Sequence, residues 1–301
     1  MHSMKAGSEH RIVIFGEVLY DCFPDGSVVP GGAPFNVAWH LQAFGMSPLF
    51  VSRVGEDTLG RRILDAMQEW GMDTSGLQFD ARHPTGRVEI TLESGQPRFD
   101  ILPGQAYDFI DAEALPPVAG ETVLYHGSLA LRREDSRKAL ERLRQETGGR
   151  VFLDVNMRSP WWSLDTVRGC LDAADWVKLN DDELAQLRPQ TTDPGCAMRE
   201  VLEAHALELL IVTRGAAGAV LVSATGEEAD VAPSGRVAVM DTVGAGDAFA
   251  SVMLLGLTRG WPLPLTLERA QDFASAIVGV RGATVADPGF YRPRIDAWRL
   301  G

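Results

Sequence analysis

The stretch DSRKALERLRQETGGRVFLDVN, residues 135–156, decides the architecture. Its apolar positions Ala139, Leu140 and Leu143 recur at helical spacing, and the run ends on Gly148 and Gly149, as an amphipathic helix does. VFLDVN, residues 151–156, then runs without polar alternation, the pattern of a strand covered on both faces. The same unit repeats outward from this point. RIVIFG (11–16), LFVSRVG (49–55), TVLYHG (122–127), WVKLN (176–180) and LLIVTRG (209–215) read as further buried strands, while PFNVAWHLQAFG (34–45) and LGRRILDAMQEWG (59–71) read as helices ending at glycine. Repeated strand–helix units imply right-handed crossovers and an α/β fold, a mainly parallel sheet with helices on both faces.

Two stretches depart from this rhythm. Residues 18–31 (LYDCFPDGSVVPGG) and 85–103 (TGRVEITLESGQPRFDILP) are rich in turn residues, and the second has two extended arms around Ser94-Gly95. GRVEITLE alternates like a half-exposed strand. Both fall where an α/β sheet calls only for a loop, so the expectation is a small β-sheet lid, formed by 18–31 and 85–103, inserted in a single domain spanning residues 1–301. No linker-like stretch or internal repeat divides the chain.

With 301 residues, 45% hydrophobic and 23% charged, the composition excludes disordered and collagen-like chains. Lys and Arg number 28 against 41 Asp and Glu, a net charge of −13, which excludes nucleic acid and anionic membrane surfaces as partners. There is no apolar run of about 18 residues, the length that spans a bilayer. The polar start MHSMKAGSEH reads as a loose leader rather than a signal peptide. Cys22, Cys170 and Cys196 stand far apart without zinc-type spacing, and the six histidines have no ligand spacing either. A reduced, cytoplasmic setting is expected.

The chemistry concentrates in DTVGAGDAFASVMLLGL, residues 241–257. A strand, RVAVM at 236–240, is expected to run into Gly-Ala-Gly, with a helix beginning at Asp247. Amides of Gly244, Ala245 and Gly246 at that helix start form an anion hole, where the helix dipole favours negative charge. Two readings of Asp247 follow. It is either a helix-capping acid or a general base that takes a proton from a substrate hydroxyl beside the held phosphoryl group. Spacing alone does not separate them. GGAPFNVAWHLQAFG, residues 31–45, has the same grammar: Gly31 and Gly32 permit close backbone approach, and Asn36 carries an amide that both donates and accepts, as polyol recognition needs.

Together, GGAPFNVAWHLQAFG and DTVGAGDAFASVMLLGL resemble the two signature motifs of the ribokinase/PfkB family of carbohydrate kinases, with likeness running from about Arg11 to Ala283. The resemblance implies a ribokinase-like αβα sandwich with a β-sheet lid, and transfer of the γ-phosphoryl of ATP to a sugar hydroxyl, fructose first. It implies Asp247 as base, Gly244, Ala245 and Gly246 as anion hole, and Asp21, Gly31, Gly32 and Asn36 as sugar contacts. NDDE, residues 180–183, resembles the family's NxxE motif, so Asn180 and Glu183 are implied to organise Mg²⁺ and phosphates through water, although the same pair is nearly a helix-capping box. TRGAAG, residues 213–218, implies nucleotide contacts at Thr213, Gly215 and Gly218, although a strand turn reads the same. DVNMRSPWW, residues 154–162, resembles the DxNxR stretch of fructokinases and 2-keto-3-deoxygluconate kinases, placing Arg158 near phosphate or sugar. Backbone carbonyls of Asp241 and Val243 are implied for a monovalent cation such as K⁺, and the lid for a homodimer contact.

One departure bears on specificity. Keto-acid sugar kinases of the family carry an arginine after the lid and fructokinases read Arg-Pro-Gly-Ala, whereas this chain has Leu102-Pro103-Gly104-Gln105. A leucine cannot pair with a carboxylate, which disfavours an acid sugar and weakens fructose as the choice. The alternatives within the family are 2-keto-3-deoxygluconate, ribose or a nucleoside, and outside catalysis a sugar or nucleotide sensor. A dinucleotide oxidoreductase falls behind, because FGEVLYD follows the first strand where GxGxxG belongs.

Overall fold

The computed structural model describes residues 11–93, 96–233 and 238–300. In chain order the strands are β1 (Arg11–Phe15), β2 (Leu19–Cys22), β3 (Val28–Gly31), β4 (Leu49–Gly55), β5 (Leu77–Asp80), β6 (Gly86–Glu93), β7 (Gln96–Ile101), β8 (Thr122–His126), β9 (Arg150–Asp154), β10 (Trp176–Asn180), β11 (Leu209–Thr213), β12 (Ala219–Ser223) and β13 (Glu228–Val231). The helices are α1 (Ala33–Ala43), α2 (Thr58–Glu69), α3 (Glu134–Thr147), α4 (Leu164–Leu171), α5 (Asp181–Leu187), α6 (Pro194–Ala204), α7 (Ala245–Arg259), α8 (Leu263–Val278) and α9 (Pro288–Trp298).

The apolar runs assemble into a nine-stranded sheet ordered β13-β12-β11-β10-β9-β8-β1-β4-β5. Neighbours from β11 to β5 are all parallel, and β12 and β13 add an antiparallel edge. Because successive side chains point to opposite faces, Ile12 and Ile14 enter one core with α1, α2, α7 and α8, while Val13 and Phe15 enter the other with α3, α4 and α6. Coverage on both faces is why these strands carry no polar alternation.

Residues 18–31 and 85–103 pair into a separate four-stranded sheet ordered β3-β2-β6-β7. On β6, Val88 and Ile90 are buried while Arg87, Glu89 and Thr91 are exposed, as one covered face requires. Ser94 and Gly95 lie outside the described residues, as does the leader MHSMKAGSEH.

Two local expectations are corrected. Arg236 and Val237 of RVAVM lie outside the described residues, and Ala238–Met240 form no strand. Met240 instead donates its N–H to the Val278 carbonyl at the end of α8, and Val239 and Met240 stay exposed, so β-branched composition there reflects contact with a helix end rather than a sheet ladder. Helix α7 starts at Ala245, two residues before Asp247, because Gly244 takes a left-handed φ of 79° and caps it. None of the described helices is long and apolar enough to cross a membrane.

From β1 the chain moves to β4 on one side and later returns to β8 on the other. Such a reversal opens a crevice above the carboxyl ends of the strands, where α/β proteins bind ligands.

Candidate active site

Those strand ends deliver the polar side chains. β9 ends in Asp154, β10 in Asn180 and β11 in Thr213, while β1 runs out through Gly16 and Glu17. With the inner side of the small sheet they enclose a cavity of about 480 Å³ lined by Asp21, Gly31, Gly32, Asn36, Arg158, Asn180, Glu183, Thr213, Val243, Gly244, Gly246 and Asp247. A second cavity, about 550 Å³, is lined by Gly215, Gly218 and Ala245 together with apolar groups of α7 and α8. Thr213, Thr242 and Gly246 line both, so the two spaces meet at the start of α7. The structure therefore brings together the candidates read from the sequence, apart from Asp241. That residue lines neither cavity, and its carboxylate accepts the N–H groups of Val243 and Gly282, tying its loop down.

Asp247 is the third residue of α7 and lines the first cavity, next to Gly246, which lines both. Its Oδ2 accepts a hydrogen bond from Asn36 Nδ2 at 2.7 Å. Enclosure by protein raises this carboxyl to about 6 against the opposing Asn36 bond, with Asp154 pushing the same way, so Asp247 is mostly ionised at neutral pH and able to take a proton. The first N–H bonded within the turn is that of Ala248, to the Gly244 carbonyl at 2.9 Å; of those before it, Ala245 turns its N–H back to the Thr242 carbonyl at 3.4 Å, while Gly246 and Asp247 have no intrahelical acceptor.

Beneath that turn lies a buried ion pair. Lys178 Nζ donates to both oxygens of Asp154 at 2.8 Å, and Tyr125 adds its hydroxyl to Asp154 Oδ2 at 3.2 Å. Burial alone would depress the lysine, yet the Asp154 charge and hydrogen bonds outweigh it and raise it. A side-chain carbon on Gly246 would sit 3.5 Å from Lys178 Nζ, so the ammonium, still bonded to Asp154, lies against the start of α7.

Asn180 and Glu183 form the capping box in full: Asn180 Oδ1 accepts the Glu183 N–H at 2.8 Å and Glu183 Oε2 accepts the Asn180 N–H at 2.9 Å. Glu183 Oε1 also accepts the Met157 N–H at 2.7 Å, which clamps the loop carrying Arg158 over the cavity.

Two glycines are required by packing. Gly32, the cap of α1, has φ 106°, and a side chain there would come 2.6 Å from the Glu17 carbonyl oxygen. Gly218, with φ 90°, presses on the β13 backbone at Val231, so its need for glycine is structural. Asp21 faces the same cavity beside Gly31, and burial raises its carboxyl to about 6.

Glu17 and Lys178 line the candidate site and were missed by pattern reading. Glu17 is 2% exposed, and burial raises it to about 7 despite Arg158 nearby. Each had a signal: a lone charge in or just beyond an apolar parallel strand has to find a partner or a ligand. His40 and His126 are buried, and burial lowers them to about 3 and about 4, so both are neutral packing groups. Among the described residues no cluster of His, Cys, Asp or Glu has a metal-binding arrangement.

A model of the pfkB family carbohydrate kinases matches residues 10–288. The chain belongs to the pfkB family of carbohydrate kinases. Within that family it is 33% identical over 299 residues to a fructokinase of Klebsiella pneumoniae, covering 92% of this chain and 96% of that one. An aminoimidazole riboside kinase of Salmonella typhimurium is 31% identical, covering 93% and 92%. In three dimensions this pfkB protein is similar to a fructokinase from Vibrio cholerae, solved with fructose, ADP and calcium, at a TM-score of 0.80 and 27% identity, covering 94% and 98%. It is also similar to the aminoimidazole riboside kinase from Salmonella enterica, at 0.81 and 28%, covering 97% and 100%. The pfkB assignment makes the chain a sugar kinase, a phosphotransferase, and the large, mostly parallel sheet with its smaller companion is the ribokinase-like fold.

Proposed function

We propose that this pfkB kinase is a fructokinase, moving the γ-phosphoryl group of ATP onto a hydroxyl of fructose with Asp247 as the base. The observation that carries it is the place of Asp247, a carboxyl raised by burial to about 6 that lines the first cavity in the first turn of α7, next to Gly246, which lines both. One cavity suits the sugar, through Asp21, Gly31, Gly32, Asn36 and Arg158. The other suits the nucleotide, through Thr213, Gly215 and Gly218, with Asn180 and Glu183 near the phosphates. The choice of fructose is supported by the fructokinases of Klebsiella and Vibrio, and Leu102, the departure in the sequence, is not among the residues that line the sugar cavity.

In this reading Asp247 takes the proton of the attacking hydroxyl while the amides of the GAGD turn, Gly244, Ala245 and Gly246 with Asp247 itself, and the Lys178 ammonium offset charge on the migrating phosphoryl group. The small sheet acts as the lid of a single domain, closing over the sugar to keep water from the phosphate. For Mg²⁺, Glu183 fits a water-mediated role, since both its oxygens already hold backbone N–H groups and a hard cation readily keeps its waters. The ion would neutralise phosphate charge. Carbonyls of Asp241 and Val243, in the loop pinned to Gly282, would hold K⁺, a cation named with the Vibrio relative. A cytoplasmic setting suits the three free cysteines.

A panel of fructose, glucose, mannose, ribose and nucleosides with ATP, scored by kcat/KM, tests this. Fructose ahead by at least about tenfold supports it; another sugar ahead replaces fructose; no turnover with any acceptor sinks the kinase chemistry and leaves a sensor.

A further inference from the structure

Glu17 enters the sugar cavity from the end of β1, yet phosphoryl transfer gives it nothing to do. Its Oε2 is buried without a hydrogen-bond partner. A carboxylate oxygen shut away from water and donors is costly, and such groups persist where a ligand completes them. Asn36 Oδ1 in the same cavity is in the same condition, buried and unpartnered while its Nδ2 is given to Asp247. The neighbouring cations give this oxygen no hydrogen bond: Lys178 is held by Asp154, Arg132 by Asp108 at 2.6 and 2.8 Å, and Arg158 acts on Glu17 through its charge alone.

We infer that Glu17 is a sugar-binding and specificity-determining residue, its orphaned oxygen accepting a hydrogen bond from a substrate hydroxyl other than the one phosphorylated. Asn36 Oδ1 accepts from another. With Asp21 and Asp247 set against Arg158, the cavity favours a neutral polyol over a sugar bearing a carboxylate. The inference rests on the kinase reading of the site and names what that site chooses.

The test compares wild type with Glu17→Leu and the isosteric Glu17→Gln. Fructose binding is measured by titration calorimetry without ATP, turnover with fructose and its monodeoxy analogues, and melting by scanning calorimetry. Expected in Glu17→Leu are a fructose Kd and KM at least about tenfold higher, an ATP KM within about twofold and a Tm no lower than wild type, because an orphaned polar group has gone. One deoxy-fructose that wild type handles poorly should be used by Glu17→Leu as well as fructose is. Glu17→Gln should fall between. A merely structural Glu17 would lower Tm and move both KM values together. Fructose affinity within about twofold of wild type, or unchanged deoxy penalties, overturns the inference. Wild type that binds fructose but does not phosphorylate it overturns the kinase reading instead, while the binding comparison still judges Glu17.

Discussion

Asn36 Nδ2 donates to Asp247 Oδ2 across 2.7 Å, joining residues 211 positions apart. The bond ties the first turn of α1 to the first turn of α7, two helices that share one core on the same face of the sheet. It orients the carboxylate and favours its ionised form against the burial that raises it. Removing a positioned base typically costs about 10²- to 10⁴-fold in rate. Asp247→Asn should lose kcat by that order in a coupled ADP-release assay, with an unchanged ATP Kd and a Tm at pH 8 no lower than wild type. Near-normal turnover would remove Asp247 from the chemistry.

The acid limb of the pH–rate profile follows from the same carboxyl. Asp247 must be ionised to take a proton, so kcat/KM should fall about tenfold per unit below pH ~6 and level off above it. Stability runs the other way. Burial raises Glu17, Asp21 and Asp247 above their ordinary values of 4.5, 3.8 and 3.8, so the folded state binds these protons more tightly. Their contribution is complete below about pH 4 and is lost as pH rises through 6 to 7. Asn36→Asp, which sets a second carboxylate against Asp247, should move the acid limb upward, as seen in full pH–rate curves.

The Lys178–Asp154 pair gives a stability prediction. Lys178→Met leaves a buried carboxylate without its cation, a change that costs about 3–5 kcal/mol. The double variant Lys178→Met with Asp154→Leu should recover most of that in urea unfolding, since replacing both partners removes the uncompensated charge. If the double variant is no more stable than the single one, the two residues do not act as a pair.

Gly244 and Gly246 should respond differently to alanine. At Gly244, φ is 79° and a Cβ would lie 2.4 Å from Ala283 Cα, so Gly244→Ala should fold poorly and melt well below wild type. At Gly246 the nearest atom, Lys178 Nζ, is 3.5 Å from the added carbon, so the fold should hold. Gly246 lines both cavities, so with the added methyl kcat/KM for ATP should drop at unchanged Tm.

How much of this could be read in advance depends on how local the cause was. The GAGD and GGAPFN turns were legible because glycine and helix-start chemistry act over a few residues. Asn180 and Glu183 were legible as a cap, since spacing defines one. α8 and α9 were not assigned; α9 holds Pro293 within it, a residue that ordinarily speaks against a helix. The start of α7 was displaced because Gly244, not Asp247, makes the cap.

Alternation and unbroken apolar runs, by themselves, determined an α/β sheet with a half-exposed second sheet, because side-chain periodicity records which faces are covered. The glycine turns likewise determined where the chain turns tightly at the starts of α1 and α7. Only the tertiary structure decided that Glu17 is left without a donor, that Lys178 pairs with Asp154, and that Asn36 reaches Asp247. A charged residue's meaning lies in what stands within a few ångströms of it, and the order of the parallel strands sets those neighbours across more than 200 positions of chain.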